Sequence, residues 1–420
     1  MFASVNRRGR VIVVAAGVVL AMTPMASAGA SSTPTTERAE PAPLVGTESP
    51  DAIAGHYIVV LDDDAAAARV QEVSAIAAAA GGTITSTYDS ALAGFAGALP
   101  VAAVERVRAA AGVAFVEADT RVSVPTPIGE AEHEERSATT DDVQRRATWG
   151  LDRIDSREGF DWKYRYDFTG AGVTVYVIDT GIRKTHVDFG GRAVHGFTAI
   201  NDGRGSDDCN GHGTHVAGTV GGQKWGVAKA VTLVAVRVLN CQGSGSTSGV
   251  IDGVDWVTGD ARDQSVVNMS LGGPASSAMD AAVAGSIASG IPYAVAAGNS
   301  HEDACGYSPA RVSSAITVGA TDDLDWDAWF SNYGSCLDLF APGDYVTSAW
   351  KKSDTAKKTI SGTSMASPHV AGVAALYLEQ NPAATPTQVR DAIVNGSTKN
   401  TLTLWDSPGS PNRLLFSRIS

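Results

Sequence analysis

Val173-Thr174-Val175-Tyr176-Val177-Ile178-Asp179-Thr180-Gly181 is the stretch on which the fold of this chain turns. A near-continuous run of apolar, mostly β-branched residues lacks the alternation of a half-exposed strand and reads as one buried on both faces. It ends in a carboxylate, Asp179, followed by a glycine that lets the backbone turn. Working outward, short apolar strands recur at 233–239, 266–270, 293–297 and 316–318, and helical stretches alternate with them at 248–257, 278–289 and 385–394. Strands bracketed by helices predict an α/β domain of three layers, a parallel sheet covered on both faces, across residues 142–420. In such sheets the sites lie beyond the carboxyl ends of the strands, which is where Asp179 falls.

Upstream the pattern changes. Arg7, Arg8 and Arg10 precede an apolar stretch over 11–22 and the small-residue run Ala26-Ser27-Ala28. This predicts an export signal over 1–28, with an apolar run short of the roughly 20 residues a membrane span needs. Residues 29–53 are rich in Ser, Thr, Pro, Ala and Glu and read as a linker. Residues 54–124 read as a small α+β unit. A strand is expected from His56 to Leu61, a helix over 65–80, two strands within 83–99 around Gly94 and Gly97, a helix over 101–111 and a closing strand over 113–116. Residues 125–141, with His133, Glu134, Glu135 and Arg136, read as an exposed, cleavable linker.

The net charge of −13, without a long basic run beyond the extreme N-terminus, removes the usual electrostatic motive for nucleic-acid or anionic-membrane binding. Four cysteines in an exported chain point to disulfides. Their arrangement favours pairing of neighbours, Cys209 and Cys241 being 32 positions apart and Cys305 and Cys336 being 31, although the sequence permits three connectivities. Loops of that size contribute ~3–4 kcal/mol each in the chain-entropy description.

Three further stretches carry chemistry. His212 opens His212-Gly213-Thr214-His215-Val216-Ala217-Gly218, a run of small residues that starts a helix. A histidine there serves as a general base if a partner fixes its tautomer. His215 reads as a structural histidine, since the glutamate of a zinc-binding H-E-x-x-H is missing. Ser364 sits in Gly362-Thr363-Ser364-Met365-Ala366-Ser367-Pro368-His369, a loop entering a helix, with Pro368 expected in the first turn. Helix-start N–H groups would face its reaction centre. Asn299, in Ala296-Ala297-Gly298-Asn299-Ser300, follows another strand, and its amide is placed to donate to an oxyanion together with the Ser364 N–H. Asp179-Thr180-Gly181 alone also fits an aspartic protease, but no second such tripeptide supplies the paired carboxylate. The order Asp, His, Ser differs from that of α/β-hydrolases and chymotrypsin-like enzymes.

With these motifs, and Ser270-Leu271-Gly272-Gly273, the chain from about Trp149 resembles the subtilisin-like serine proteases, in the proteinase K branch and among aqualysin-type bacterial enzymes. The resemblance implies a subtilisin-like catalytic domain preceded by a ferredoxin-like inhibitory propeptide over 54–124, which also acts as intramolecular chaperone. It implies that Asp179 orients His212, that His212 takes the proton of Ser364, and that Asn299 helps to hold the oxyanion. A peptide substrate would lie as an added antiparallel strand between Gly243-Ser244-Gly245 and Ser270-Leu271-Gly272, with Ala296-Ala297-Gly298 walling the pocket for the residue before the scissile bond. The resemblance supports the pairs Cys209–Cys241 and Cys305–Cys336. It implies no cofactor for catalysis but structural Ca²⁺ at Asp338 with the carbonyls of Ser313 and Ala315, and at Asp152 and Asp155. The expected product is a secreted, monomeric endopeptidase that cuts proteins and peptides through an acyl-enzyme, made as a zymogen that processes itself near 137–142 and free of the membrane after signal removal. An esterase on the same triad and a catalytically silent binding protein of the same fold are the competing readings.

Overall fold

The structure, a computed structural model, describes residues 40–62, 67–124, 138–140 and 143–419. The expected signal over 1–28, most of the linker over 125–141 and half of the expected cutting region over 137–142 therefore lie outside the described residues.

The larger part is built on a nine-stranded sheet. Its order is Ala193–Thr198, Thr232–Arg237, Thr174–Asp179, Ser265–Met269, Tyr293–Ala296, Ile316–Thr321, Leu339–Pro342, Arg413–Leu414 and Thr398–Lys399. Neighbours are parallel except the last pair. The strand Thr174–Asp179 is third from one edge, and its side chains alternate between two cores as strand geometry requires. Val175 and Val177 join Val216, Val220, Val370 and Ala374 on one face, while Tyr176 and Ile178 join Val250, Val254 and Val283 on the other. Helices His212–Gly221 and Thr363–Gln380 supply the first layer; Thr247–Asp260 and Ser277–Ala288 supply the second. Each fully buried valine contributes about 1.5–3 kcal/mol relative to exposure, so burial on both faces, more than strand propensity, fixes the layering.

The smaller part has the ferredoxin-like order strand, helix, strand, strand, helix, strand: Ala52–Leu61, Ala67–Ala79, Thr83–Tyr88, Gly94–Ala98, Val101–Arg108 and Val113–Ser123. Its own core gathers Val59, Val70, Val73, Phe95, Val104, Val107 and Val116. One boundary is corrected. Residues 40–53 were expected as linker, but Leu44–Val45 pairs in parallel with Val116 and Glu117, and the long first strand begins at Ala52. Backbone bonds hold the segment: the Ala42 N–H donates to the Arg108 carbonyl at 2.8 Å and the Val116 N–H to the Pro43 carbonyl at 2.9 Å. Prolines at 41, 43 and 50 hide this segment from a reading based on periodicity, because an edge strand tolerates proline where an interior strand does not.

Candidate active site

Asp179 closes its strand, and the Thr180 N–H donates to its Oδ1 at 2.7 Å. Nδ1 of His212, the first residue of its helix, lies 2.9 Å from both oxygens of Asp179. Both side chains are shut from solvent. The closeness depends on the small residue after the base: a Cβ on Gly213 would stand 2.2 Å from the Gly181 carbonyl oxygen. His215, three positions on, spends Nε2 on the Val346 and Lys358 carbonyls, and burial lowers its ring to about 3, so it stays neutral and structural.

Ser364 is the second residue of the helix Thr363–Gln380, where backbone N–H groups have no partner within the helix. Its hydroxyl donates to the Ser270 carbonyl at 3.0 Å. Pro368 does not fall in the first turn as expected; it lies deeper inside the helix. The missing N–H of residue 368 leaves the Ser364 carbonyl without its helical donor. Ser270 Oγ takes that role at 3.0 Å, and a buried chain continues from it through Asn268 Nδ2 (2.8 Å) and from Ser367 Oγ to Asn268 Oδ1 (2.7 Å). Ser270 thus grips Ser364 at both its hydroxyl and its carbonyl.

Asn299 is aimed from one side only. Its Oδ1 accepts from the Thr363 N–H at 2.9 Å and from the Thr363 hydroxyl at 2.7 Å, while the Gly298 N–H donates to that hydroxyl at 3.1 Å. With the carbonyl end occupied, the Nδ2 end is turned to the cleft beside Gly362, 3.0 Å from where a Cβ on that glycine would stand. Asn332 braces the same loop, donating to the Ala297 carbonyl and accepting from the Ser300 and Glu302 N–H groups. Thr363, Asn268, Ser367 and Asn332 escape sequence reasoning, since a lone polar residue among small ones carries no periodic signal.

The expected substrate edges meet another occupant. Residues Arg121, Val122 and Ser123 pair antiparallel with Ser246, Gly245 and Ser244; Ser123 also bridges Gly272, and the Val124 N–H donates to the Gly243 carbonyl at 2.9 Å. The end of the small domain therefore lies as a strand between the two edges. A pocket of about 560 Å³ includes Ser364 in its lining, with Leu271, Gly272, Ala296, Ala297, Gly298 and Asn299, and also Tyr307, Ser308 and Ser49 to Asp51. Two carboxylates of the strand Val113–Ser123 cap helices of the large domain. Glu117 accepts from the Ala278 N–H at 3.0 Å; Asp119 accepts from the Ser248 N–H at 3.0 Å and from its hydroxyl at 2.6 Å. Anionic groups are favoured at these helix starts, although burial pushes both carboxyls above their ordinary range. From the other side, Asp255 Oδ1 accepts from the Ser90 and Ala91 N–H groups.

The disulfides join Cys209 to Cys241 and Cys305 to Cys336. Asp338 accepts from the Thr317 N–H through Oδ2 at 2.9 Å and from the Arg390 guanidinium through Oδ1. At the expected second cation site, Asp152 and Asp155 have partners within the protein. Asp152 accepts from the N–H groups of residues 161–163, and the Arg165 guanidinium lies 3.5 Å from Asp155 Oδ2. Lys163 and Arg165 also pair with Asp161, while Asp155 Oδ1 is buried with no hydrogen-bond partner.

Comparison with known proteins places this geometry. Residues 170–413 match the Subtilase family and residues 56–125 match Peptidase inhibitor I9. The extracellular serine proteinase of Thermus sp. (strain Rt41A) is 48% identical over 408 residues, covering 92% of this chain and 95% of its own length. Alkaline serine exoprotease A of Vibrio alginolyticus is 50% identical over 335 residues, which are 80% of this chain and 60% of that protein. The crystal structure of a cold adapted subtilisin-like serine proteinase superposes with a TM-score of 0.63 at 55% identity, covering 65% of this chain and 98% of that one. The chain belongs to the subtilase family. It is a subtilisin-like serine protease that carries an inhibitor-type propeptide. Among the described residues no helix is long and apolar enough to cross a membrane.

Proposed function

We propose that the chain is a secreted endopeptidase that matures itself and cleaves proteins through an acyl-enzyme on Ser364. The observation that carries this reading is the strand Arg121 to Val124 lying in the cleft, on the backbone edges a substrate would use, with Ser123 lining the same pocket as Ser364. A chain bound there meets main-chain groups, which reward any extended peptide and not one small ester.

In the reaction the Ser364 hydroxyl turns from the Ser270 carbonyl to Nε2 of His212, which takes its proton as Oγ attacks the peptide carbonyl carbon. Asp179 accepts the Nδ1–H of His212, fixing the tautomer and stabilising the imidazolium. The oxyanion is met by Asn299 Nδ2 and by the Ser364 N–H at the helix start. His212 then returns the proton to the leaving amine as the C–N bond breaks; a water molecule, deprotonated by the same ring, attacks the acyl carbon, the Oγ–C bond breaks to free the carboxylic acid, and His212 hands its proton back to Ser364 Oγ.

The names of the relatives support secretion, one of them being an extracellular proteinase. A structural calcium ion at Asp338, with the carbonyls of Ser313 and Ala315, belongs to the same proposal; hard oxygen ligands suit it, and its contribution is to stability, with Arg390 sharing the carboxylate. Secreted Ser364→Ala tests the whole scheme. It is expected to accumulate as uncut precursor that wild-type enzyme can cut in trans, and matured wild-type enzyme is expected to digest casein, beyond any activity on a small ester. Prompt self-maturation of Ser364→Ala, or ester cleavage without casein cleavage, refutes it.

A further inference from the structure

The start of the helix His212–Gly221 contains four N–H groups with no helical acceptor of their own. Each is satisfied, and the acceptors come from two places. His212 N–H donates to Asn210 Oδ1 at 3.1 Å and the N–H of the cap residue Gly211 to Asp208 Oδ1 at 2.8 Å, both close in sequence. Gly213 N–H instead donates to Thr180 Oγ1 at 2.9 Å, and Thr214 N–H to Asp208 Oδ2 at 3.0 Å. The Thr180 hydroxyl in turn donates to Asp208 Oδ1 at 3.0 Å. That same oxygen accepts from the N–H groups of Asn210 and Gly211, each at 2.8 Å, and Oδ2 also accepts from the Thr214 hydroxyl at 2.5 Å. Thr214 Oγ1 accepts from the Arg183 N–H at 2.9 Å, beyond the turn that follows Asp179.

Asp208 therefore receives five donors and, beside the direct bonds from Gly213 to Thr180 and from Arg183 to Thr214, braces two segments against each other: the loop carrying Asp179 and the helix start carrying His212. We propose that Asp208, acting through Thr180, is a positioning residue for the acid–base pair, holding the Asp179 carboxylate and the His212 ring in register for proton transfer. An ordinary helix cap would serve only N–H groups of its own helix; here the carboxylate also takes a hydroxyl from the residue next to Asp179. The contact it secures is narrow, because His212 Nδ1 stands equally 2.9 Å from both Asp179 oxygens. Loss of solvation pushes the Asp208 carboxyl above its ordinary range while its hydrogen-bond donors pull it back, so the fold keeps an acceptor here at a cost.

The inference rests on the reading that His212 and Asp179 perform the acid–base work. It is tested with Asp208→Asn, which keeps the shape but turns an NH₂ toward donors, and with Thr180→Val, which removes the hydroxyl that links Asp208 to the Gly213 N–H. Each full-length chain is secreted, processed where necessary with tagged wild-type enzyme that is then removed, and assayed on a peptide p-nitroanilide. Active sites are counted by titration with a fluorophosphonate. Misplacement of reacting groups by about an ångström costs up to roughly a hundredfold, so kcat per titrated site is expected to fall about tenfold to a hundredfold for Asp208→Asn and less for Thr180→Val, with KM changed by less than about twofold. The double variant is expected to lose no more than Asp208→Asn alone, because both changes cut one link. Should Asp208→Asn not fold, Thr180→Val carries the test. Wild-type kcat per titrated site in Thr180→Val, or losses that simply multiply in the double variant, overturns the inference. His212→Ala run in parallel separates this from failure of the underlying reading, which would appear as activity surviving in that variant.

Discussion

Replacing Thr363 with valine isolates the orientation of the oxyanion donor. Thr363 is fully buried, and valine fills nearly the same volume, so packing is retained. Two hydrogen bonds go: the one from its hydroxyl to Asn299 Oδ1 at 2.7 Å, and the one it accepts from the Gly298 N–H at 3.1 Å. The Thr363 N–H still reaches Asn299 Oδ1 at 2.9 Å, so the amide is loosened, not released. A hydrogen bond of this kind is worth ~1 kcal/mol net, and the stranded Gly298 N–H adds ~1–3 kcal/mol of desolvation cost. The second cost falls on ground and transition states alike and lowers stability. Only the loosened aim of Asn299 bears on the oxyanion, so about 1–2 kcal/mol should appear in the barrier, a decrease of roughly fivefold to thirtyfold in kcat. Matured Thr363→Val, assayed on a peptide p-nitroanilide per titrated active site, should show that decrease with KM nearly unchanged. Combined with Asn299→Ala it should lose little beyond Asn299→Ala alone. Wild-type kcat in Thr363→Val, or full additivity in the pair, would falsify the idea that Thr363 acts through Asn299.

Two further outcomes follow from the buried carboxylates. Asp252 accepts the Ser86 hydroxyl across the contact between the small and large domains at 2.8 Å, and burial raises its carboxyl to about 6. A raised value means that the docked precursor favours the protonated form, so this contribution to docking is complete below about pH 4 and is lost as pH rises through about 6. Burial shifts Glu117, Asp119 and Asp255 in the same direction. The thermal midpoint of uncut Ser364→Ala should thus fall between pH 4 and 7, with a shallower slope once Asp252→Asn is added; an unchanged slope contradicts the assignment. Chelation with EDTA should lower the thermal midpoint of matured enzyme and leave Asp338→Asn unaffected, and a wild-type midpoint indifferent to chelation removes the calcium proposal.

Much of this architecture is legible from local pattern. The strands Thr174–Asp179, Thr232–Arg237, Ser265–Met269 and Tyr293–Ala296 announce themselves because burial on both faces demands unbroken apolar runs. The edge strand Ala193–Thr198 does not: it is only partly covered, carries His195 and Gly196, and its register shifts there. Asp179, His212, Ser364 and Asn299 were readable because catalysis demands particular side chains beside glycines and small neighbours. The residues that hold them were not. Asp208 and Asn332 act on partners far away in sequence and nothing in their immediate surroundings marks them, while Ser270 and Thr363 stand in motifs that mark the site without showing which partners they hold. The misplacement of Pro368 teaches the same lesson. A proline deep in a helix looks unfavourable locally, and becomes sensible once Ser270 is seen donating to the carbonyl that the proline leaves free.

The most direct test of the account is covalent labelling of matured enzyme with a fluorophosphonate, followed by mass spectrometry to locate the adduct. The account predicts one modified residue, Ser364, with labelling abolished in His212→Ala and restored in neither resting precursor nor Ser364→Ala. An adduct on any other serine, or undiminished labelling of Ser364 without His212, contradicts it.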